Sequence, residues 1–575
     1  MTDDNRQTQP TYIDLMKQLM PLISLPLLLA ACTQPARPAD GTATVTVLGL
    51  NDFHGQLEQS SFRGKQIPDP KNPGKTVAAP AGGISAIGGL VQEVRAANPN
   101  TVLVGVGDLT GASPLSSSLL ADEPTVMAMN RLGMSVNVLG NHELDYGLKE
   151  LQRFQKGGCD SVARPDKDCQ FVNPFPGASY TYIAANVFDK NGAHVFPAYR
   201  MVKVGDLNIA FVGAVLEETP SVVTPSGIAG LTFRDEADSI NAALPELKRA
   251  GADAVIALIH QGGAAKSAYD QPGCTDLSGP IVDVVQRLDP AVSAVMTGHT
   301  HQAYNCVVAG RPVIQGAAQG QLMQRLDLTV TRKQGVTRVS AVKAENVLVD
   351  AQKYSSPELA ALAAEAKAKT DPVANRVVAT IAGQISRQAN AAGESALGDV
   401  IADAQLAATR AAEQGGAVMA FMNPGGIRAD LPAQPSTTVT YGDIFAVQPF
   451  GNLLTVLTLS GEQIRTLLEQ QFGNPAAGQN RILQVSEGFA YSYDLTQPAG
   501  QRVKTITLNG QPLDMSAEYR VTVNSFLAEG GDNFSVLKEG RDRLGGGLDV
   551  DALSAYLQGG SVKPGAQNRI TKLNP

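Results

Sequence analysis

The chain has 575 residues, more than one hydrophobic core can organise, so at least two domains are expected. Hydrophobic residues make up 43% of the chain, which is ample for globular packing, and charged residues make up 17%. The formal net charge is -8, and no run of Lys or Arg stands out. A nucleic-acid partner is therefore not expected, because such proteins carry a concentrated basic surface.

The N-terminal segment has the composition of an export signal. Met16 and Lys17 precede LMPLISLPLLLAAC, an apolar stretch that ends in small residues before Cys32 and is too short to span a bilayer. The tetrapeptide LAAC resembles the lipobox of bacterial lipoproteins, which implies cleavage before Cys32 and lipid attachment to its sulfur. Residues 1–32 are then a signal peptide with Met16 as an alternative start, and the product is an outer-membrane lipoprotein facing the periplasm or cell surface. An ordinary signal peptide is the alternative, and it also exports the protein.

Four further cysteines are consistent with an exported chain. An even number of cysteines in an oxidising compartment indicates disulfides, and four cysteines allow three pairings. We favour Cys159 with Cys169 across a polar loop, and Cys274 with Cys306. A zinc site is the rival interpretation, but no CxxC spacing supports it.

Composition divides the exported chain into segments. Residues 33–41 are rich in Pro and Ala and are interpreted as a tether, residues 42–350 as a first domain, and residues 373–575 as a second. The segment between them, residues 351–372, predicts a solvated linking helix with Ser356 as N-cap, Pro357 as first residue and Pro372 beyond its end.

Short apolar runs alternate with longer mixed segments in the first domain, which predicts an α/β fold with strands covered on both faces. The runs are VTVLGLND, TVLVGVGD, SVNVLGNH, LNIAFVGA, AVIALIH and AVMTGH. Five of them finish in a potential metal ligand, namely Asp52, Asp108, Asn141, His260 and His299. Because ligands of open α/β sheets bind beyond the carboxyl ends of the strands, these five side chains are expected to converge.

The second domain also predicts an α/β unit. Its elements are a helix through LGDVIADAQLAATRAA, strands through AVMAFMN, GNLLTVLTL and YRVTVNS, and a helix that opens with the capping box SGEQ.

Oxygen and nitrogen donors without a thiolate characterise the candidate metal site. The seven donors are Asp52, His54, Asp108, Asn141, His260, His299 and His301. One divalent ion rarely needs seven protein ligands, so two ions that share a carboxylate are the economical interpretation, with Zn, Mn, Co or Fe as candidates. Paired metals favour displacement at phosphorus, which indicates phosphoester hydrolysis. Each motif alone is common by chance, and the sixth histidine, His194, is interpreted as structural.

The joint motif set resembles the calcineurin-like metallophosphoesterases. The motifs are NDFHG (51–55), GD (107–108), GNHE (140–143), His260 and GHTH (298–301). With its second domain the chain resembles the bacterial 5'-nucleotidase and UDP-sugar hydrolase family. This implies a four-layer αββα metallophosphoesterase domain, a linking helix and a C-terminal α/β 5'-nucleotidase domain. It also implies that Asp52, His54 and His301 hold one metal, that Asp108 bridges, and that Asn141, His260 and His299 hold the other.

His142 follows the ligand Asn141 and has a different implied role. If GNHELD opens a helix, Asp145 lies three residues along the same face and can hydrogen-bond His142. His142 would then point toward the substrate, where it could stabilise the transferring phosphoryl group or protonate the leaving oxygen.

The resemblance extends to the substrate residues of the second domain, through FMNPGGIRADL (421–431), QPFGN (448–452) and NSFLAEGGDNF (524–534). It implies that Phe450 and Phe526 clamp the base, that Asn423 and Arg428 contact phosphate or ribose, and that Asp532 contacts the sugar. Many relatives carry an Arg where this chain has Ala391 and Ala392, and Arg387 is the candidate replacement.

The sequence therefore predicts an exported dimetal phosphohydrolase that removes the 5'-phosphate from nucleotides, with no obligate protein partner. Related alternatives are a UDP-sugar hydrolase, a 2',3'-cyclic-nucleotide phosphodiesterase and a thiosulfohydrolase. A lipoprotein that binds nucleotides without turnover is the alternative from another class.

Overall fold

A computed structural model describes residues 40–69, 74–223, 225–560 and 562–574, all within the compact unit Asp40–Pro575. The predicted signal peptide, Cys32 and most of the predicted tether lie outside the described residues. No helix among the described residues is long and apolar enough to cross a membrane.

The N-terminal part begins with strand β1, which starts at Gly41, within the predicted tether. Its strands are β1 (Gly41–Leu50), β2 (Ser60–Pro68), β3 (Thr76–Ala81), β4 (Thr101–Gly105), β5 (Met134–Val138), β6 (Thr181–Ile183), β7 (Val187–Phe188), β8 (Tyr199–Val204), β9 (Leu207–Val215), β10 (Thr232–Phe233), β11 (Ala254–His260), β12 (Val292–Thr297), β13 (Ala303–Val308), β14 (Arg311–Gly316), β15 (Leu322–Lys333) and β16 (Val336–Leu348). Its helices are α1 (Ile84–Ala97), α2 (Leu115–Ser118), α3 (Glu123–Leu132), α4 (Gly147–Lys156), α5 (Thr219–Val222), α6 (Glu236–Arg249) and α7 (Pro280–Arg287), with 3-10 turns at His142–Leu144 and Pro225–Ile228.

Two six-stranded sheets form the centre of this part. Their strand orders are β16-β15-β1-β4-β5-β6 and β13-β14-β12-β11-β9-β8. Val, Ile and Leu side chains of the two sheets pack against each other in one core, while two further cores lie under the helices on the outer faces. The predicted αββα architecture is confirmed.

The parallel strands in each sheet position the site. Strands β1, β4 and β5 run parallel in the first sheet, and β9, β11 and β12 run parallel in the second. All six runs singled out in the sequence form these strands. Since carboxyl ends of parallel strands share one edge, the residues that follow them are brought together.

The linking helix α8 spans Pro357–Ala374 and differs from its prediction in two respects. It is not solvated on all sides, because Leu359, Leu362 and Ala366 are buried in the core of the N-terminal part. It also continues past Pro372 by two residues, to Ala374, although the proline has no N–H to donate to the carbonyl four residues before it. Ser356 is the N-cap as expected, without a capping hydrogen bond from its hydroxyl.

The C-terminal part confirms the predicted helices and strands. After α8 come β17 (Val377–Thr380), α9 (Ala396–Thr409), β18 (Met419–Met422), β19 (Thr438–Thr440), α10 (Tyr441–Val447), β20 (Leu453–Ser460), α11 (Gly461–Glu469), β21 (Gln484–Val485), β22 (Phe489–Tyr493), β23 (Val503–Leu508), β24 (Gln511–Pro512), β25 (Glu518–Asn524), α12 (Ser525–Ala528), β26 (Arg541–Leu548), α13 (Asp549–Gln558) and β27 (Ile570–Lys572). Its 3-10 turns are Ala412–Gln414, Pro424–Gly426, Gly531–Asn533 and Ser535–Glu539. The sheets have the orders β21-β18-β25-β20-β26 and β24-β23-β22-β27, and Ser460 and Gln463 form the predicted capping box.

Both predicted disulfides are present. Cys159 is bonded to Cys169, which closes a loop after α4, and Cys274 is bonded to Cys306 on β13. The zinc alternative for these cysteines is therefore not supported.

Candidate active site

The seven predicted ligands converge at the shared edge of the two sheets. Six of their side chains form two groups, within each of which the ligand atoms lie within 4.8 Å of one another. The first group contains Asp52, His54 and His301, and the second contains Asp108, His260 and His299. The division is the one that the family resemblance implies.

Asp108 lies between the two groups. Its Oδ2 is 3.0 Å from Nε2 of His260 and 3.9 Å from Nε2 of His54. In the first group, Nε2 of His301 lies 3.0 Å from Nε2 of His54 and 3.4 Å from Oδ1 of Asp52. The carboxylate of Asp108 is therefore placed where one group could serve two cations.

Asn141 joins the second group through its side chain. Its Oδ1 lies 3.0 Å from Nδ1 of His299. The backbone N–H of His299 in turn donates to the carboxylate of Asp52 at 3.0 and 3.1 Å. The amide oxygen predicted as a ligand thus faces the same point as the imidazoles.

Unusual backbone conformations hold these side chains in place. Five of the seven ligands have positive φ, namely Asp52 (47°), His54 (47°), Asp108 (52°), His299 (73°) and His301 (54°). Non-glycine residues in this region are strained by about 1–3 kcal/mol each, and such strain concentrates at functional sites. The fold therefore holds these residues in costly conformations that aim their side chains inward.

Two glycines explain why the ligand motifs read GD and GN. A Cβ at Gly107 would lie 2.3 Å from Nδ1 of His260, and a Cβ at Gly140 would lie 2.1 Å from Oδ1 of Asp108. Only glycine permits the strand ends to approach this closely. The glycines therefore allow the ligands to meet.

The charge state of the site fits divalent cations. Burial lowers the pKa of both His54 and His299 to about 3, so each imidazole is neutral and keeps a nitrogen lone pair for a cation. Burial opposes ionisation of Asp108, but the neighbouring histidines hold its pKa well below the ordinary value. Against the same opposing effect of burial, Asp108 raises the pKa of His260 to about 10, so positive charge is strongly favoured here.

The two ring nitrogens of His260 also suit a metal ligand. Nε2 of His260 is fully buried and has no partner of good hydrogen-bond geometry among the described residues, although the Asp108 carboxylate lies 3.0 Å away. Its Nδ1 is occupied by the carbonyl of Val106 at 2.8 Å, which orients the ring. Metal-binding imidazoles use one nitrogen for the metal and the other for such a carbonyl.

His142 stands beside the ligands with Asp145 behind it. The His142 Nδ1 lies 2.9 Å from Oδ2 of Asp145, which confirms the predicted contact. GNHELD does not open an α-helix, however, but forms the 3-10 turn His142–Leu144. In a 3-10 turn residues i and i+3 are nearly eclipsed, which explains the short contact. Burial opposes protonation of His142, but the carboxylates of Asp145 and Asp108 raise its pKa above the ordinary value.

The C-terminal part reaches the same histidine. The ring of Phe450 stacks on His142 with centroids 5.7 Å apart and planes 16° apart. The guanidinium of Arg428 lies 5.7 Å from the centroid of the Phe450 ring. Two predicted substrate residues are therefore adjacent to the predicted catalytic histidine.

The remaining predicted substrate residues form a separate buried network. Asn423 Nδ2 donates to Oδ2 of Asp532 at 2.7 Å, and Arg481 forms an ion pair with Oδ1 of the same carboxylate at 3.0 Å. The ring of Phe526 packs against Gly531, where a Cβ would lie 2.5 Å from it. Phe526 therefore stands beside Asp532, whereas Phe450 stands beside His142.

Arg387 lines the same cleft as Arg428. Its Nη1 donates to the carbonyl of Ile427 at 3.1 Å, directly before Arg428 in sequence, and its backbone N–H donates to Asp430 at 2.8 Å. Arg387 is thus close to Arg428 in the cleft. His194, by contrast, packs on Phe188 at 4.4 Å, away from the ligands.

Sequence reasoning missed the residue that ties the ligand loops together. The buried carboxylate of Glu143 accepts hydrogen bonds from the backbone N–H groups of Asp108 and Leu109 at 2.8 Å and of Gly140 at 2.7 Å. Its presence in GNHE was the available signal. Asn51, next to Asp52, was missed in the same way and donates to the Asp52 carboxylate at 2.7 Å.

A large cleft opens over these residues. It has a volume of about 1820 Å³ and is lined from the N-terminal part by His54 and His301 and from the C-terminal part by Arg387 and Arg428. Clefts of this kind, with convergent polar groups, are the usual sites of small-molecule chemistry.

Comparisons with known proteins agree with this geometry. Residues 45–303 match the calcineurin-like phosphoesterases, and residues 377–539 match the 5'-nucleotidase C-terminal domain. Endonuclease YhcR of Bacillus subtilis (strain 168) is 30% identical over 519 residues, which cover 89% of this chain and 39% of that protein. Cell wall protein Lmo0130 of Listeria monocytogenes is 30% identical over 538 residues, which cover 88% of this chain and 65% of that protein. The chain therefore spans less than two thirds of either relative.

A solved structure matches over nearly the whole chain. The crystal structure of the 5'-nucleotidase precursor from Thermus thermophilus superimposes with a TM-score of 0.74 at 27% identity, covering 93% of this chain and all of that one. The predicted two-domain fold and family are confirmed. The chain belongs to the calcineurin-like phosphoesterases that carry a 5'-nucleotidase C-terminal domain, a family of metal-dependent phosphoric ester hydrolases.

Proposed function

We propose that this protein is an exported dimetal 5'-nucleotidase that converts nucleoside 5'-monophosphates to nucleoside and phosphate. One observation carries the proposal. His142, backed by Asp145, stands between two groups of metal-ligating side chains and the Phe450 ring of the other domain. A phosphate next to His142 would therefore have its nucleoside next to an aromatic face.

The two groups of ligands provide the metal sites of the proposal. Asp52, His54 and His301 would hold one ion, Asn141, His260 and His299 would hold the other, and Asp108 is placed where it could serve both. Two bound divalent ions neutralise phosphoryl oxygens and activate water for attack at phosphorus. The donor set of oxygen and nitrogen atoms suits Zn, Mn, Co or Fe.

His142 is the proposed catalytic residue outside the metal ligands. Its Nδ1 is held by Asp145, so its Nε2 is the nitrogen left for the substrate. In that position Nε2 can donate a hydrogen bond to a phosphoryl oxygen or a proton to the leaving 5'-oxygen. Asp145 favours the protonated ring and fixes its orientation.

The C-terminal domain is proposed to select the nucleotide. Phe450 and Phe526 offer the aromatic faces, and stacking on such a face is worth about 1–3 kcal/mol per base. Arg428 and Arg387 supply positive charge near the phosphate, and Asn423 and Asp532 supply polar groups for the ribose. In the present conformation Asn423 and Asp532 satisfy each other, so substrate must exchange that hydrogen bond for its own.

Location is proposed from the sequence and from the disulfides. Cys32 is the proposed lipid-attachment site, which would anchor the enzyme to the cell envelope through the outer membrane. The two disulfides support an oxidising compartment. The relative Lmo0130 is named as a cell wall protein, which favours a surface location. The boundaries 42–350, 351–372 and 373–575 remain the proposed division of labour between hydrolysis, linkage and nucleotide selection.

Phosphate release, with chromatographic identification of all products, tests the proposal in a soluble form that starts at Thr33, because the first cleavage of UDP-glucose or of a cyclic nucleotide frees no inorganic phosphate. The enzyme is offered AMP, UDP-glucose and 2',3'-cyclic AMP, first with a chelator and then with Mn, Zn or Co restored. We expect metal-dependent release from AMP that is lost in His142→Ala with metal content unchanged. Turnover of UDP-glucose in place of AMP would assign cleavage of a phosphoanhydride, and turnover of the cyclic nucleotide would assign cleavage of a phosphodiester. AMP binding without turnover of any substrate would make the protein a nucleotide-binding lipoprotein.

A further inference from the structure

The hairpin formed by β2 and β3 carries cations that the proposed function does not use. Phe62 and Gln66 of β2 pair with Ala79 and Ala78, which are consecutive residues of β3. The three residues between them, 63–65, therefore bulge out of the ladder as Arg-Gly-Lys. Bulges next to active sites commonly redirect side chains.

This bulge, residues 63–65, faces the catalytic cleft. Arg63, Gly64 and Lys65 all line the cleft of about 1820 Å³ that also contains His54 and His301. Both cationic side chains are exposed, and neither forms a hydrogen bond or ion pair with any residue that the structure describes. Two free cations therefore stand in the wall of the cleft.

The base of the hairpin is fixed close to a proposed metal ligand. Phe62 is buried in a small core that includes Ala317 and is packed by Ala303, two residues after His301. Its ring also meets Tyr269 edge-on at 5.0 Å. A Cβ at Gly64 would lie 2.5 Å from the Phe62 ring, so glycine is what lets the bulge fold over this anchor. The base of the bulge is thereby packed against the segment that follows His301.

The charge of the cleft wall favours an anion with more than one negative group. Arg63 and Lys65 on the hairpin add to Arg387 and Arg428 on the C-terminal side, whereas the carboxylates in the lining are Asp270 and Asp430. Asp430 already accepts a hydrogen bond from the Arg387 backbone. In a chain of net charge -8, this local excess of cations is notable. The cleft of about 1820 Å³ is also larger than most small-molecule pockets, which have volumes of roughly 300–1,000 Å³.

We propose that the bulge is a second anionic subsite, which holds a phosphate other than the one being hydrolysed. The inference rests on the proposed function and names its substrate class: nucleotides that carry a second phosphate group besides the reacting one. The second phosphate accepts charge-assisted hydrogen bonds from Arg63 and Lys65 and takes no part in bond breaking. Water still attacks the reacting phosphorus, and the nucleotide oxygen leaves with a proton.

The test compares AMP with nucleotides that carry a second phosphate group. kcat/KM is measured for AMP, ADP, adenosine 3',5'-bisphosphate and a 5'-phosphorylated dinucleotide with the wild-type enzyme and with the double variant Arg63→Gln/Lys65→Gln. Lys75→Gln is the matched control, because Lys75 belongs to the same hairpin but does not line the cleft. The three two-phosphate substrates show whether the subsite takes a pyrophosphate, a 3'-phosphate or a phosphodiester.

We expect the wild type to prefer at least one two-phosphate substrate over AMP. The double variant should lose about fivefold or more of that preference, with kcat/KM for AMP unchanged, and Lys75→Gln should keep it. An equal loss for all substrates, or a preference that survives in the double variant, would overturn the subsite.

Failure of the proposed function has a different signature. If no substrate is turned over, the 5'-nucleotidase proposal fails, and the subsite is judged by equilibrium binding of adenosine 3',5'-bisphosphate against AMP. Tighter binding of the bisphosphate that is lost only in the double variant supports the subsite. Equal affinity for the two nucleotides contradicts it.

Discussion

The proposed metal-ligand side of the cleft and the proposed nucleotide side differ in how their side chains are held. On the first side, backbone geometry fixes the ligands: they follow strand ends, and five of seven have positive φ. On the second side, side chains hold one another, as Asn423, Asp532 and Arg481 do. The first arrangement leaves donor atoms pointing at a common centre, whereas the second leaves them satisfied until a substrate competes.

Under the proposed function, this contrast separates the chemical step from recognition. Charged groups fixed in a buried site need no reorganisation when charge develops on the reacting phosphoryl group. A network that exchanges its own hydrogen bonds for those of a ligand can instead discriminate, because a poor ligand leaves buried groups unpaired. We therefore expect changes on the first side to lower kcat and changes on the second to act mainly on KM.

The largest effect is expected from Asp108→Asn. The change removes the negative charge between the two groups of ligands, so both proposed metal sites weaken together. Phosphate release from AMP should fall by about 1,000-fold or more, and bound metal should fall below that of the wild type. Elemental analysis of the purified protein measures the bound metal. Full metal content with wild-type activity would show that Asp108 serves neither site. Asp270→Asn, a carboxylate in the cleft wall, is the control and should keep both.

A smaller loss is expected from Asp145→Asn, since it affects His142 alone. Without the carboxylate, His142 loses its favoured protonation and orientation, so kcat should fall by about 10- to 100-fold. Metal content and KM for AMP should stay near wild type, which distinguishes this variant from a metal-ligand variant. A loss of metal in Asp145→Asn would place Asp145 in the metal site instead.

Replacing the aromatic rings tests the nucleotide side. Phe526→Ala and Phe450→Ala should each raise KM for AMP by about tenfold, because each removes one stacking face. Phe450→Ala should also change kcat, since its ring packs on His142, whereas Phe526→Ala should not. Steady-state kinetics of the two variants measure the effects on kcat and KM separately. Identical effects on kcat would remove the distinction between the two phenylalanines.

The smallest effect is expected on thermal stability, from the contact that Gln448, two residues before Phe450, makes with Asp549. Asp549 accepts a long hydrogen bond from Gln448 at 3.4 Å, and burial raises its pKa to about 7. Between about pH 4 and pH 7 the folded protein keeps a proton that the unfolded chain releases, so stability falls as pH rises through that window. Between pH 5 and pH 8, the melting temperature of Asp549→Asn should therefore fall less than that of the wild type. The expected difference is about 2–5 °C by calorimetry. Parallel melting curves would contradict it.

The sequence predicted the metal side in more detail than the nucleotide side, for a physical reason. Strand ends such as those before Asp52 and His260 are readable because apolar runs stop abruptly at a polar residue, and parallel strands must end at one edge. The role of Glu143 was missed although the residue stands in the GNHE motif, because its partners are backbone N–H groups, which a pattern of side chains does not identify. The prediction that the linking helix is solvated was wrong. Its buried face, which includes Leu359 and Ala366, is difficult to recognise in a segment where alanine occurs on every face.

Residues distant in sequence account for the other gaps. Arg481 forms an ion pair with Asp532, which is distant in sequence, and no local sequence motif predicts this contact. The position of Phe450 on His142 depends on how two domains meet, which neither domain's pattern contains. Disulfide pairing was predictable because only three arrangements existed and one joined the cysteines nearest in sequence.

Anomalous scattering from crystals of the metal-loaded enzyme tests the central claim most directly. Data collected at the absorption edge of the bound metal should show two peaks about 3.5–4 Å apart. We expect the Asp108 carboxylate to lie between them, with Asp52, His54 and His301 around one peak and Asn141, His260 and His299 around the other. A single peak, or two peaks that Asp108 does not join, would contradict the dimetal site.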